Sequence, residues 1–294
     1  MTAIDWRGVA NIMVTPFTED ENIDVEGVGA VTRWAVEAGV DMLVPLGIMG
    51  EAHKLTDTER DVVLRGVVEA ADGTPVVAGC TAESTRAVIV RAERAAELGA
   101  SAVMVAPPRA AAGPELQRRH YEAVAAASPL PVVLQDEPVT TGVRMAASTI
   151  GEIGRLDRIA AVKVEEVPSP TKVSGILAAN PDLPCFGGLG GLYMVEELDR
   201  GAVGIMTGFG FPEVLVAIHR AYASGDREEA QRIFWHAMPL IRYEAQLGVG
   251  GVSIRKKLLA ERGVIATPAA RQPVAAGDPE ALPELRRLVA QLKL

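Results

Sequence analysis

The sequence predicts an α/β protein: a (β/α)8 TIM barrel with a C-terminal helical extension. Three observations predict it. Short apolar, β-branched runs alternate with longer helical stretches, and eight such pairs fill roughly the first 225 of 294 residues. The short runs are continuously apolar, as strands of a parallel sheet covered on both faces must be. No G-x-G-x-x-G follows the first strand, which removes the usual mark of an open, doubly wound sheet.

The first strand reads from Val9 to Val14 and turns at Thr15-Pro16-Phe17. Val28, Val31, Ala35 and Ala38 stand at helical spacing in a helix from Val25 to Ala38, ended by Gly39. Asp41 to Leu46 is the second strand. Thr56 and Glu59 then form a capping box ahead of Val62 and Val63. Strands follow at Pro75 to Cys80, Ala102 to Ala106, Pro131 to Gln135 and Ile159 to Lys163, with Cys185 to Gly187 short and Val203 to Thr207 the eighth. The intervening helices read over Ser84 to Leu98, Pro114 to Ala127, Ala146 to Leu156, Thr171 to Ala179 and Leu192 to Arg200. Residues 1–225 are therefore the barrel. Residues 226–294 are a three-helix appendage packed on it, with helices over Asp226 to Leu247, Val252 to Arg262 and Pro279 to Leu292 and a Pro/Ala/Gly-rich link at 266–278.

Composition narrows the function. A net charge of −9 disfavours a nucleic-acid partner, because phosphate backbones are held by clustered Lys and Arg. It leaves room for a small acidic substrate, which one cation or a few backbone N–H groups can hold. Cys80 and Cys185 are too few and too far apart for a disulfide framework or a zinc site. Met1 to Asn11 has no signal-peptide core, and no apolar run is long enough for a membrane span. A cytoplasmic location is the expectation, with no membrane partner and no metal.

Lys163 carries the chemistry. Residues alternate between interior and helical layer along a barrel strand, so Lys163, Ala161 and Ile159 point inward while Val162 and Ala160 face the helices. The lysine thus lies at the C-terminal mouth, where barrel enzymes keep their active sites. Desolvation lowers an amine's pKa from about 10.4 toward neutrality and supplies a nucleophile that can form an iminium with a ketone. A strand-end lysine can also simply snorkel into solvent.

The motifs decide between these. Thr15-Pro16-Phe17, the Gly47-Ile-Met-Gly-Glu51 loop with Leu55 and Glu59 after it, Gly79, Pro107-Pro108 and His120-Tyr121 occur in order. Pro138 with Thr141-Gly142, Ala161-Val-Lys163 and Gly201-Ala-Val-Gly204 complete the series. In this ordered set the chain resembles the dihydrodipicolinate synthase / N-acetylneuraminate lyase family over essentially its whole length. The resemblance implies the barrel, a Schiff base on Lys163 with pyruvate or a related 2-keto acid, no cofactor beyond that lysine, and a homotetramer. It also implies that the substrate carboxylate docks on Gly47, Ile48, Met49 and Gly50, where glycines let backbone N–H groups converge on an anion. The family usually has hydroxylic residues between those glycines, and here they are Ile48 and Met49. Gly188, within the run Phe186-Gly-Gly-Leu-Gly-Gly191, and Met206 on the eighth strand join the candidate substrate-binding set.

Other departures bear on the reaction. The family's proton-shuttling tyrosine sits in a Y-N-x-P context at the end of the fifth strand. This chain reads Leu134-Gln135-Asp136-Glu137-Pro138, placing Gln135 there. An amide orients but does not exchange protons near neutral pH. Thr140 falls where the synthase subgroup carries an arginine for its semialdehyde partner, and Arg109-Ala110 replaces an aromatic pair, which argues against lysine-pathway synthase activity. Glu165, two residues past Lys163, His53 and Asp136 are the candidates for the proton work. Asp136 points off the barrel axis by parity. Glu51 reads as a loop brace, and His120, His219 and His236 as surface or packing residues. The expectation is a lyase for 2-keto acids or 2-keto-3-deoxy sugar acids, acting by aldol cleavage or dehydration. The rival is a non-catalytic keto-acid-binding barrel serving as a sensor or structural partner.

Overall fold

A computed structural model of the chain describes residues 4–246, 251–274 and 278–292. Leu247, the expected end of the first appendage helix, lies outside the described residues. So do residues 1–3 of the expected leader-free start, 275–277 of the expected link and 293–294 of the appendage.

Eight parallel strands form the sheet: β1 (Gly8–Ile12), β2 (Met42–Val44), β3 (Val77–Gly79), β4 (Ala102–Val105), β5 (Val132–Asp136), β6 (Ile159–Val164), β7 (Cys185–Gly187) and β8 (Gly204–Thr207). Their order, β2-β1-β8-β7-β6-β5-β4-β3, runs round a ring, and the Leu43–Val76 bridge brings β2 against β3 to complete a nearly closed TIM barrel. The connections are α1 (Val25–Glu37), α2 (Asp57–Ala70), α3 (Thr85–Glu97), α4 (Pro114–Ala127), α5 (Pro138–Thr141), α6 (Ala147–Ile153), α7 (Ser169–Ala179), α8 (Met194–Asp199) and α9 (Pro212–Ala223). Beyond them come α10 (Arg227–Gln246), α11 (Gly251–Glu261) and α12 (Ala281–Leu292). The short α5 and the helix α9 had no separate signal in the sequence reading.

The alternation sorts each strand's side chains. Ala10, Ile12, Met42, Val44, Met104, Val133, Ala161, Phe186 and Met206 fill the interior, so the barrel is a packed core and not a pore. Val9, Leu43, Val103, Leu134 and Val162 face the helices. The appendage's Phe234, Leu240, Ile254 and Leu285 are buried in that same outer core. One inward assignment is corrected: Ile159 packs with the helical layer. The β5–β6 register shifts between Val132 and Val133, which pair with Ile159 and Ala161, so strict alternation starts only at Ala161. Local chemistry otherwise acts as read. Thr56 and Glu59 make the full capping box of α2, a cap whose loss costs about 1 kcal/mol.

Candidate active site

Lys163 lies two residues above Ala161, where the filled interior ends, and is 4% exposed. Gln135 on β5 and Phe186 on β7 flank it in register. The Glu165 amide donates to Asp136 O at 2.9 Å, prolonging the β5–β6 ladder past the strand end. That keeps Glu165 on the inward parity of Lys163, and its Oε2 stands 2.9 Å from Lys163 Nζ. The same oxygen accepts a 2.9 Å hydrogen bond from Gln135 Nε2. Gly188 makes the room: a Cβ there would stand 2.4 Å from Glu165 Cγ. Lys163, Glu165, Gln135 and Gly188 thus form one contiguous cluster.

Beside it opens a cavity of about 410 Å³, the size of a small-ligand site. Gly47, Ile48, His53, Gln135, Glu137 and Thr140 line it, with Arg109 and Glu83, 3.6 Å apart, at its edge. Gln135 belongs to both the cavity wall and the lysine cluster. Met49, Gly50, Gly188 and Met206 are not on the wall. Met206 is wholly buried inside the barrel beneath the site, and Met49 packs against that interior. His53 faces the cavity. Partial burial, then the nearby Lys54 charge, lowers its pKa from the usual imidazole value against the opposing pull of Glu51.

The Gly47–Gly50 loop is held from several sides. Its flanking residues, Leu46 (φ 62°) and Glu51 (φ 53°), are left-handed, a conformation costing on the order of 1–3 kcal/mol for a non-glycine residue. Thr15 Oγ1 donates to Gly50 O at 2.7 Å, which gives the Thr-Pro-Phe turn its use. The Gly50 amide is consumed inside the turn by Gly47 O, whereas the Ile48 and Met49 amides have no acceptor among the described residues. Glu51 is buried and takes Lys256 Nζ at 2.6 Å, Lys54 Nζ at 3.0 Å and the Arg271 amide at 3.0 Å. Lys256, wholly buried and 4.1 Å above the Phe17 ring, has its pKa pushed down to about 8 by burial, with Glu51 opposing. Glu51 is thus the loop brace expected of it, and its partner Lys256 in the C-terminal extension carried no local motif.

Two further carboxylates lie close by. Asp136 points into the helical layer as its parity requires, fully buried, 3.4 Å from Lys172 Nζ, with burial raising its pKa to about 6. It does not reach the cavity. Glu137 does, and no local motif marks it. Both its oxygens accept from the Thr140 amide, at 2.9 and 3.1 Å, capping α5. Burial raises its pKa and the Glu165 charge raises it further, against Thr140 and Lys163. His120 is a buried packing residue bound to Thr85 Oγ1 at 2.9 Å. His219 and His236 bond to backbone carbonyls. Arg144 turns outward to Glu166.

The chain is similar over 97% of its length, and 94% of the relative's, to L-2-keto-3-deoxyarabonate dehydratase of Azospirillum brasilense, at 29% identity. The crystal structure of dihydrodipicolinate synthase from Rhodopseudomonas palustris superposes with a TM-score of 0.91 at 32% identity, covering 97% of each chain. YagE of E. coli K12, a dihydrodipicolinic acid synthase family protein solved in complex with pyruvate, superposes with a TM-score of 0.90 at 25% identity over 98% of this chain and 99% of its own. The family model described as the dihydrodipicolinate synthetase family matches residues 5–292. The chain belongs to that family and is a lyase of the class I aldolase type.

Proposed function

We propose that this lyase forms a Schiff base between Lys163 and a 2-keto-3-deoxy sugar acid and dehydrates it. The single observation that carries the reading is the buried Lys163–Glu165 pair, 2.9 Å apart at the mouth of the barrel. Glu165 accepts the proton that Lys163 must lose before its nitrogen attacks the C2 carbonyl. Glu165 then returns that proton to the carbinolamine oxygen, which leaves as water as the iminium forms, and is a carboxylate again. The iminium then acidifies C3, and the same carboxylate is the base that takes the C3 proton. Gln135 supplies no proton; its amide holds Glu165 in place. The free amide of Ile48, on the cavity wall in a loop braced by Thr15 and Glu51, would hold the substrate carboxylate without the hydroxyls usual in the family. Gly188 and Met206 support the cluster from beside and below and make no wall for the ligand. His53 is a cavity residue that would meet the hydroxylated tail.

Support for dehydration over aldol cleavage comes from the sugar-acid dehydratase that matches nearly end to end, and from carboxylates standing where the shuttling tyrosine is missing. No cofactor beyond the lysine enters this scheme. A homotetramer, which rests on family resemblance, and a cytoplasmic location, which rests on the sparse cysteines and the lack of an apolar span in the sequence, are part of the same proposal. The test is NMR of a panel of 2-keto-3-deoxy acids with the enzyme. Dehydrated keto acid is the expected product, and pyruvate with an aldehyde would replace dehydration by retro-aldol cleavage. Inertness toward the whole panel would favour the binding-only barrel.

A further inference from the structure

We propose that Glu137 is a catalytic residue of this site, the acid that protonates the departing C4 hydroxyl. The proposal rests on the Schiff-base reading above and assigns the other half of the reaction. Elimination across C3 and C4 needs a base at C3 and then an acid at C4, and a hydroxyl that leaves on the side away from Glu165 needs an acid of its own.

Glu137 has the required placement. It lines the cavity with Gln135 and Thr140, while Glu165 lies on the lysine side of Gln135. It is 7% exposed and near enough to Lys163 and Glu165 for both charges to act on it, with Gln135 the residue common to the cavity wall and the lysine cluster. Two carboxylates held together in such a site drive one of the pair toward the protonated form. Here Glu165 has Lys163 and the Gln135 amide to hold its negative charge, whereas Glu137 has the Thr140 amide and no cation in contact among the described residues. The asymmetry makes Glu165 the base and Glu137 the acid.

The step balances. The C3–H pair becomes the C2–C3 double bond of an enamine as the iminium nitrogen takes up the C2–N π pair, and the proton goes to Glu165. The enamine then returns its electrons, forming C3=C4 and a new iminium while the C4–O bond breaks. The leaving oxygen takes the Glu137 proton and departs as water. Hydrolysis of the second iminium frees Lys163, and the proton on Glu165 returns to Glu137 through solvent.

The experiment compares the wild type with Glu137→Gln, whose amide oxygen can still cap Thr140. Four readouts are used, and the first three are borohydride trapping of pyruvate on Lys163, exchange of the pyruvate methyl protons in D2O, and dehydration of the best 2-keto-3-deoxy acid. A 4-chloro-2-keto acid, whose chloride leaves without a proton, is the fourth. Glu137→Gln is expected to trap and exchange pyruvate and expel chloride within about threefold of wild type, yet to lose dehydration by about 100-fold or more. Dehydration retained within threefold would overturn the proposal, as would loss of exchange or chloride release, since Glu137 would then be shaping the site and not donating at C4. Absence of a Lys163 adduct in the wild type would instead sink the Schiff-base reading itself.

Discussion

Glu165 Oε2 stands 2.9 Å from Lys163 Nζ and accepts the Gln135 amide as well. Gln135, proposed to stand where the family carries its tyrosine, thus bonds to the carboxylate that pairs with the lysine. Glu165→Gln is expected to lower pyruvate methyl exchange by about 100-fold or more, because the amide cannot take the C3 proton. NMR in D2O reads this directly, and undiminished exchange would move the base elsewhere.

Gly188 provides a steric version of the same test. A methyl there would stand 2.4 Å from Glu165 Cγ, so Gly188→Ala must push the carboxylate away from Lys163. Exchange is expected to fall nearly as far as in Glu165→Gln, with a stability loss of about 1–3 kcal/mol from overpacking. Urea unfolding measures the second quantity. A variant with normal exchange would show that Glu165 does not depend on this contact.

The Gly47–Gly50 loop, proposed to hold the substrate carboxylate, is tied to the C-terminal extension through Glu51 and Lys256, 2.6 Å apart and both buried. Lys256→Met removes one partner and strands the other charge, which typically costs about 3–5 kcal/mol. Loosening the loop should raise KM for 2-keto acids more than it lowers kcat. Steady-state kinetics beside an unfolding curve separate the two effects.

Glu197 gives a pH signature in stability. It is buried against Gly187, receives the Ser169 hydroxyl at 2.5 Å, and its Oε2 has no hydrogen-bond partner among the described residues. Burial raises its pKa from 4.5 to about 7. A raised folded-state carboxyl pKa means the native state binds more protons than the unfolded chain between those values. Its contribution is therefore full below pH 4.5 and lost as pH rises through 7. Glu197→Gln lacks that dependence. Its stability relative to wild type should improve between pH 5 and pH 8 by an amount on the order of 3 kcal/mol at most. Urea unfolding of both proteins at the two pH values gives the double difference.

The fold was legible because continuous apolar strands, capped helices and glycine stops are local signals, and all eight strands carry them. The lysine was legible because parity is local too, although the irregularity before Ala161 broke the count for Ile159. Glu165 followed from the same counting by two. Glu137 was less visible: it stands next in sequence to Asp136, and only the cap it makes on α5 turns one toward the cavity while the other faces the helices. Lys256 was invisible for another reason. Its partner lies 205 residues away, and no local pattern marks a lysine that will be buried against a distant glutamate. Met206 and Gly50 were expected at the ligand from family resemblance, yet the packed interior and the Thr15 clamp keep both behind the cavity wall.

The central claim is covalent chemistry at Lys163. Borohydride reduction in the presence of pyruvate, read by intact mass and peptide mapping, tests it most directly. One reduced adduct per chain on Lys163, absent from Lys163→Ala, is the expected result. No adduct in the wild type, or an adduct that persists unchanged in Lys163→Ala, would contradict it.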